Sequence, residues 1–496
     1  VTLWARRGFL AVLVFLGYGM VVARSLTDVS AGSASYVLTV ALMVLAGVAG
    51  VRMQRRAVLP IHDREVDWII GLLAMLMAVS VDALLVPRLV EWLYLLRLDV
   101  LALVLFMFGA VTLLLGSRAA LRYGPVWVSL ALVNAPVSLV VTLLTGGGWA
   151  GASYATVFGI TVTVFLVSSA RVRTRLATTA ASAVVGAVLT AAVVGPVADH
   201  NLVGTLPAAV NQVIALLPGV VGGLAATRVV AVLRRRRGTA PAVPGETPVI
   251  AARLALVPVA AVVLALVLVP TPAYPSPVIN QVPPTPPVRG GGEKVPEGWA
   301  EIGRESYPWV ENYFGAGSTL TRQALQATTV VGEWDVQGRT REVMVDSLTT
   351  TGSFRTRIFG DESLYTTVGG RRSEMRQVDL GHGVVGSMYT VLDDEKYLTY
   401  TKLRVYWDLP DGVGDEGVEG FSVIAVDDHR PGAQFPVLTR NLGGLATRVV
   451  EVLLRGGTVT EDPAATFNDS NDGDVVVTVG RSIVDGRWAQ TGGETR

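Results

Sequence analysis

Two patterns of apolar and polar positions divide the chain. Up to about residue 270, long apolar runs alternate with short polar breaks; from 299 onward the apolar runs shorten and polar residues interleave. A hydrocarbon core of about 30 Å takes about 20 helical residues. The first pattern therefore predicts about nine membrane-spanning helices, near 8–24, 36–52, 66–86, 99–117, 125–145, 154–170, 176–198, 207–227 and 250–270. Pro136 and Pro218 fall inside two of these and predict kinks. The apolar run behind Trp4, Arg6 and Arg7 reads as a retained first span, since no small-residue cleavage site follows it.

Residues 271–298 are rich in Pro and then Gly, which predicts an extended stalk. Residues 299–496 have ordinary soluble composition and read as an α+β domain, an antiparallel sheet covered by helices. An amphipathic helix is expected over 299–326, with Trp299, Ile302, Trp309, Val310 and Tyr313 on one side. Strands are expected near 328–337, 341–350, 353–359, 363–368, 384–392, 397–408 and 418–427, a helix over 436–455, and closing strands at 474–479 and 482–489.

Charge sets the expected orientation. Arg6 and Arg7, then Arg52, Arg55, Arg56 and Arg64, then Arg118 and Arg122, then Arg171, Arg173 and Arg175, then Arg234–Arg237 all fall on alternate loops. The intervening loops hold only Arg24, Arg88 and Arg97. The positive-inside rule places the N-terminus in the cytoplasm and, with an odd number of spans, the C-terminal domain outside a plasma or inner membrane. The whole chain is 51% hydrophobic and 16% charged, and its net charge of +1 makes no case for nucleic acid. The absence of cysteine excludes disulfides, thiolate metal sites and Cys nucleophiles. The Arg-, Ala- and Val-rich usage points to a bacterial source.

Ionisable residues inside a membrane mark sites or pairs. Asp82, Arg97, Asp99, His200 and Asn211 share one expected leaflet and outline an outward-open polar cavity, with Asp82, Asp99 and His200 as candidate catalytic groups. Asn134, two residues before Pro136, is expected to cap carbonyls that the proline frees. Asp63, Glu65 and Asp67 read as a solvated helix start. In the outer domain Trp309 and Trp407 are candidate sugar-stacking residues. Asp427-Asp428-His429 reads as a solvated turn, and the stretch Asn468–Asp474 lacks the closing Glu of a calcium loop. No metal site or cofactor is assigned, and no Walker, Rossmann or G-x-S-x-G motif is present.

The segments LALVLFMFGAVTLLLGSRAALRYGPVWVSLAL (101–132) and KLRVYWDLPDG (402–412) carry a family resemblance. In these and in its layout the chain resembles bacterial exosortases with a fused extracytoplasmic domain. The resemblance implies work on the cell envelope. That family's Cys nucleophile has no counterpart here, which implies a non-catalytic relative or altered chemistry; His200 is only a positional candidate for a triad member. The expected function is an envelope membrane protein with an outward binding or assembly domain, its partners the lipid bilayer and an envelope polymer, a lipid-linked glycan or another membrane protein. The alternative is an envelope transferase or exosortase-like enzyme in the outer-leaflet cavity. A transporter ranks third, because broken helices occur without a clear internal repeat.

Overall fold

The structure, a computed structural model, describes residues 18–19, 35–53, 64–89, 93–168, 171–196, 208–235, 253–268, 278–284, 292–315, 317–350, 364–365, 370–393, 396–408, 417–438, 459–461 and 470–488. The chain forms two compact units, Val1–Pro275 and Ser276–Arg496.

The first unit is all helical among the described residues. Its helices are α1 (Ser35–Met53), α2 (Arg64–Ser80), α3 (Leu98–Leu115), α4 (Gly124–Leu132), α5 (Ala135–Leu144), α6 (Gly148–Val167), α7 (Val172–Leu189), α8 (Ala208–Arg235) and α9 (Arg253–Leu268), with short helical turns between some of them. Six helices are long and apolar enough to cross a membrane, and the pair α4 and α5, bent by 55°, makes a seventh. Among the described residues the expected count of nine is therefore not confirmed. Most of the span at 8–24 lies outside the described residues. Helix α9 has 16 described residues, about 24 Å at 1.5 Å per residue, and the rest of the expected span at 250–270 lies outside the described residues.

The bend between α4 and α5 follows from Asn134 and Pro136. The Asn134 side chain accepts from Val137 N–H at 3.0 Å and donates to the Ala131 carbonyl at 3.3 Å, so it starts one half-helix and satisfies the end of the other. Helix α2 runs into a π-turn at Val81–Leu85 and α7 into one at Thr190–Val194. Each lies just before a proline, Pro87 and Pro196. A proline ring collides with the carbonyl four residues back, and the widened turn moves that carbonyl aside; Val86 and Gly195 donate five residues back instead.

Helix α3 is the most enclosed span, with 61% of its window buried. It meets α2 at Gly71 and Gly109, where a Cβ on Gly109 would stand 2.8 Å from the Gly71 carbonyl oxygen. Small residues let membrane helices approach closely enough for dispersion to hold them. Asp67 is buried and accepts from the Ser117 N–H at 2.6 Å, so it serves as a cap between elements and not as part of a solvated helix start.

The second unit is built on one ten-stranded sheet. Its strands are β1 (Ile279–Asn280), β2 (Trp299–Ser306), β3 (Thr319–Ala327), β4 (Glu342–Thr350), β5 (Gly370–Arg372), β6 (Arg376–Asp379), β7 (Val385–Asp393), β8 (Leu398–Asp408), β9 (Val418–Val426) and β10 (Val459–Glu461). The main order is β10-β5-β7-β8-β9-β4-β3-β2, antiparallel except for β10 against β5; β1 also joins β8 in parallel. Part of the expected stalk thus belongs to this sheet. Asn280 ties it down, donating to the carbonyls of Val385 and Tyr406 at 3.0 and 3.1 Å.

Three expectations are overturned. The strand expected at 328–337 is a run of bends and turns between β3 and β4, broken at Gly332 and Gly338. The segment 299–326 is not one helix: it forms β2, the short helix α10 (Val310–Phe314) and β3. Strand β2 is an edge strand of which only Trp299 is buried, so no alternating pattern marked it. The expected closing strands form one helix, α11 (Ser470–Trp488). Val475, Val476, Val479, Ile483 and Val484 line one helical face and pack on Leu403, Val405, Trp407 and Val423 of the sheet. Gly480 lets α11 sit close, since a Cβ there would meet Leu403 Cδ2 at 2.4 Å. The expected helix at 436–455 and the strand at 353–359 lie largely or wholly outside the described residues, whereas Tyr365 within 363–368 forms a single bridge to Leu438.

The other sheet face is polar and also buried. Arg322 pairs with Asp346 through two contacts of 2.7 Å, Tyr365 donates to Asp346 at 2.6 Å, and the Lys402 ammonium lies 3.9 Å from the Tyr365 ring centre.

Candidate functional site

The membrane unit and the sheet unit each hold one candidate. In the membrane unit the sequence candidates Arg97 and Asp99 meet. Arg97, 6% exposed, holds Asp99 with two contacts at 3.1 and 3.0 Å. Its backbone is left-handed (φ 47°) at the break before α3, a conformation that strains most residues and turns the guanidinium back onto its neighbour. Asp82, in the π-turn, is near enough to feel the Asp99 charge. The buried Tyr18 hydroxyl has no hydrogen-bond partner among the described residues, and Tyr36 donates to the Val133 carbonyl at 3.4 Å. The structure therefore gathers Asp82, Arg97 and Asp99. His200 lies outside the described residues, as does the side chain of Asn211.

In the sheet unit Trp407 is fully buried, under Phe421 on one side and the Arg487 guanidinium, 4.3 Å from its ring centre, on the other. It is a core residue and offers no face for sugar stacking. Trp309 is half-buried and packs edge-on against Tyr307 and Tyr313. Arg487 also pairs with two buried carboxylates, Glu293 at 3.0 Å through Nε and Glu419 at 2.8 Å. Burial pushes the Glu419 carboxyl up to about 7; contact with Arg487 opposes the rise and Glu293 adds to it.

The densest polar constellation lies where β9 ends beside the start of α11. Arg341, 2% exposed, donates to Asp472 and to the Val426 carbonyl, the latter at 3.1 Å. His429 stands between Asp335, at 3.3 Å from Nδ1, and Asp472, at 3.5 Å from Nε2. Asp335 is held by Arg339 at 2.7 Å and by the Gln337 N–H at 2.6 Å. Those contacts, Arg339 above all, hold its carboxyl below the usual carboxylate range. An open pocket beside this group is lined by Gln326, Arg339, Arg341, His429, Arg430 and Phe435. Glu342 and Asp428 line it too, and each arginine is already paired, Arg339 with Asp335, Arg341 with Asp472 and Arg430 with Asp428, so the pocket suits a hydroxyl-rich ligand that takes up their remaining N–H groups.

The sequence reading weighed Asp427–His429 and Asn468–Asp474 separately and assigned neither. It missed Asp335, Arg339 and Arg341 altogether. Asp335 and Arg339 are joined by an i,i+4 spacing that the strand expectation at 328–337 concealed, and only the docking of α11 brings Asp472 to Arg341 and His429. No protein-family model matches this chain, and comparison with curated proteins and with solved structures finds no match either.

Proposed function

We propose that the protein is a cell-envelope membrane protein whose helical unit anchors a binding domain on the non-cytoplasmic side. The observation that carries this reading is the division of labour between the units. Among the described residues of the helical unit, Arg97 and Asp99 neutralise each other and Asp67 caps a neighbouring element, whereas the sheet unit presents a pocket lined by arginines and a histidine. The Arg-rich loops support an outward domain. The ligand class that suits the pocket is a hydroxyl-rich envelope polymer.

The test begins with topology, which the cysteine-free sequence makes clean. Val336 is 93% exposed; a single thiol at Val336→Cys is expected to react with a membrane-impermeant maleimide in intact cells. Native mass spectrometry of the full chain, purified from its own membranes, is then expected to show an envelope polymer or a protein partner, lost in Arg339→Ala/Arg430→Ala. Protection of the thiol until the cells are opened, or a ligand unaffected by the double change, would sink the reading.

A second reading rests on the gathering of Asp82, Arg97 and Asp99 beside a π-turn, a geometry common at functional sites. It is an exosortase-like or transferase activity on a lipid-linked substrate. A retained isoprenoid-linked sugar that disappears in Asp82→Asn would favour it over the anchor.

A further inference from the structure

We propose that Asp427, His429 and Asp472 form a binding site for a divalent transition-metal cation of the zinc or manganese class. The site does not depend on which envelope component the domain binds.

One ligand atom from each of the three residues lies within 4.8 Å of the other two. They come from separate elements: Asp427 directly follows β9, His429 sits in the next turn, and Asp472 opens α11. The histidine is already set for a metal. Its Nδ1 faces the buried Asp335 carboxylate at 3.3 Å, and Arg339 fixes that carboxylate in turn. A carboxylate beyond one ring nitrogen settles which nitrogen carries the proton and raises the basicity of the other; metal-binding histidines use this arrangement. With the hydrogen placed on Nδ1, Nε2 presents a lone pair.

That lone pair is buried and makes no hydrogen bond, in a side chain only 11% exposed. Nε2 lies 3.5 Å from Asp472 Oδ1, the oxygen that also accepts from Arg341. A lone pair beside a carboxylate oxygen is repulsive unless a proton or a metal cation lies between them. The separation fits a metal cation. Two ligands about 2.0–2.1 Å from a tetrahedral zinc ion stand about 3.3–3.4 Å apart. Asp427, exposed at the end of β9, supplies the third ligand atom, within 4.8 Å of the other two.

The charges agree. Asp335, Asp427 and Asp472 outnumber Arg339 and Arg341, and Asp428 and Arg430 neutralise each other at 2.7 Å. The residual negative charge favours a cation. Arg341 donates to Asp472 and holds it in place. One imidazole and two carboxylates form a mixed nitrogen and oxygen set, which suits zinc or manganese better than calcium, whose sites are all oxygen. Three protein ligands leave a position open to water or to a ligand group in the adjoining pocket.

The experiment uses the full chain in detergent, stripped with a chelator and titrated with Zn²⁺ and, for spectroscopy, Co²⁺. One metal per chain is expected to survive desalting, and Co²⁺ is expected to give the visible absorption of a four-coordinate site with a nitrogen ligand. His429→Ala and Asp427→Asn are expected to lower affinity at least tenfold, and Asp335→Asn tenfold or more through the ring it orients. Asp427 is exposed, so Asp427→Asn keeps the test valid should a buried variant fail to fold. His382→Ala, at the exposed contact with Asp485, is expected to leave binding unchanged. Absence of stoichiometric metal in the unaltered chain overturns the site, as does full retention in Asp427→Asn and His429→Ala; His429 would then be held by a proton between its two carboxylates.

Discussion

The two units bury charge in opposite ways. In the membrane unit the buried ion pair is local: Arg97 and Asp99 are two residues apart, and Thr112, Thr142 and Thr163 bond carbonyls four residues back in their own helices. In the sheet unit Arg339 and Asp335 are four residues apart, but the most enclosed pairs span the chain. Arg341 reaches Asp472 across 131 residues and Arg487 reaches Glu293 across 194. Hydrocarbon offers no water to a lone polar group, so each is best satisfied by its own helix before helices associate. A water-soluble unit collapses with its charges still hydrated and pairs them only when distant segments dock. Its ion pairs therefore lock its tertiary arrangement, while close-packed glycines hold the bundle.

The sharpest way to break this contrast is Arg487→Met. Glu293 and Glu419 would lose their shared cation while staying buried, and removing one partner of a buried pair typically costs about 3–5 kcal/mol. Denaturant unfolding of the detergent-solubilised chain, followed by proteolysis of the sheet unit, should show a loss of that size with the helical unit intact. A change under about 1 kcal/mol, the range of exposed pairs, would mean that the triad does not lock the domain.

The next effect is a pH dependence confined to the sheet unit. The Glu419 carboxyl, raised to about 7 mainly by burial, keeps its proton longer when folded than when unfolded, where a glutamate titrates near 4.3. The folded form then binds more protons between those values, so stability falls as pH rises from about 4.5 to about 7 and levels off above. The expected drop is a few kcal/mol, and Glu419→Gln should flatten it. A slope that persists in Glu419→Gln belongs to another group.

The smallest effect sharpens the other side. Gly109→Ala places a methyl 2.8 Å from the Gly71 carbonyl oxygen, and overpacking of this kind costs about 1–3 kcal/mol. Detergent-induced unfolding of the helical unit should shift accordingly, with no change in the sheet unit. An unaltered transition would show that α2 and α3 separate without penalty.

Much of the membrane unit was legible because its signals are local. Run length marked seven spans, and Asn134 two residues before Pro136 announced the bend between α4 and α5. In the sheet unit β4, β7, β8 and β9 were legible from alternation. Several elements were not, among them the short strands β1, β5, β6 and β10; two are instructive for different reasons. Edge strand β2 buries only Trp299 and so carries no period. Helix α11 does carry the helical period, at Val475, Val476, Val479, Ile483 and Val484, but the run of valines has strong β-propensity, which tertiary packing overrode.

The sequence by itself determined that the chain has an apolar helical part and a soluble sheet part, because burial in lipid and alternation along strands are written residue by residue. Only the tertiary structure decided which charges meet. Asp427, His429 and Asp472 form a group because α11 docks against the end of β9, and Trp407 became core because Arg487 closes over it. Such contacts depend on chain segments far apart in sequence, and no local pattern encodes the partner of a charge that waits for a distant helix to arrive.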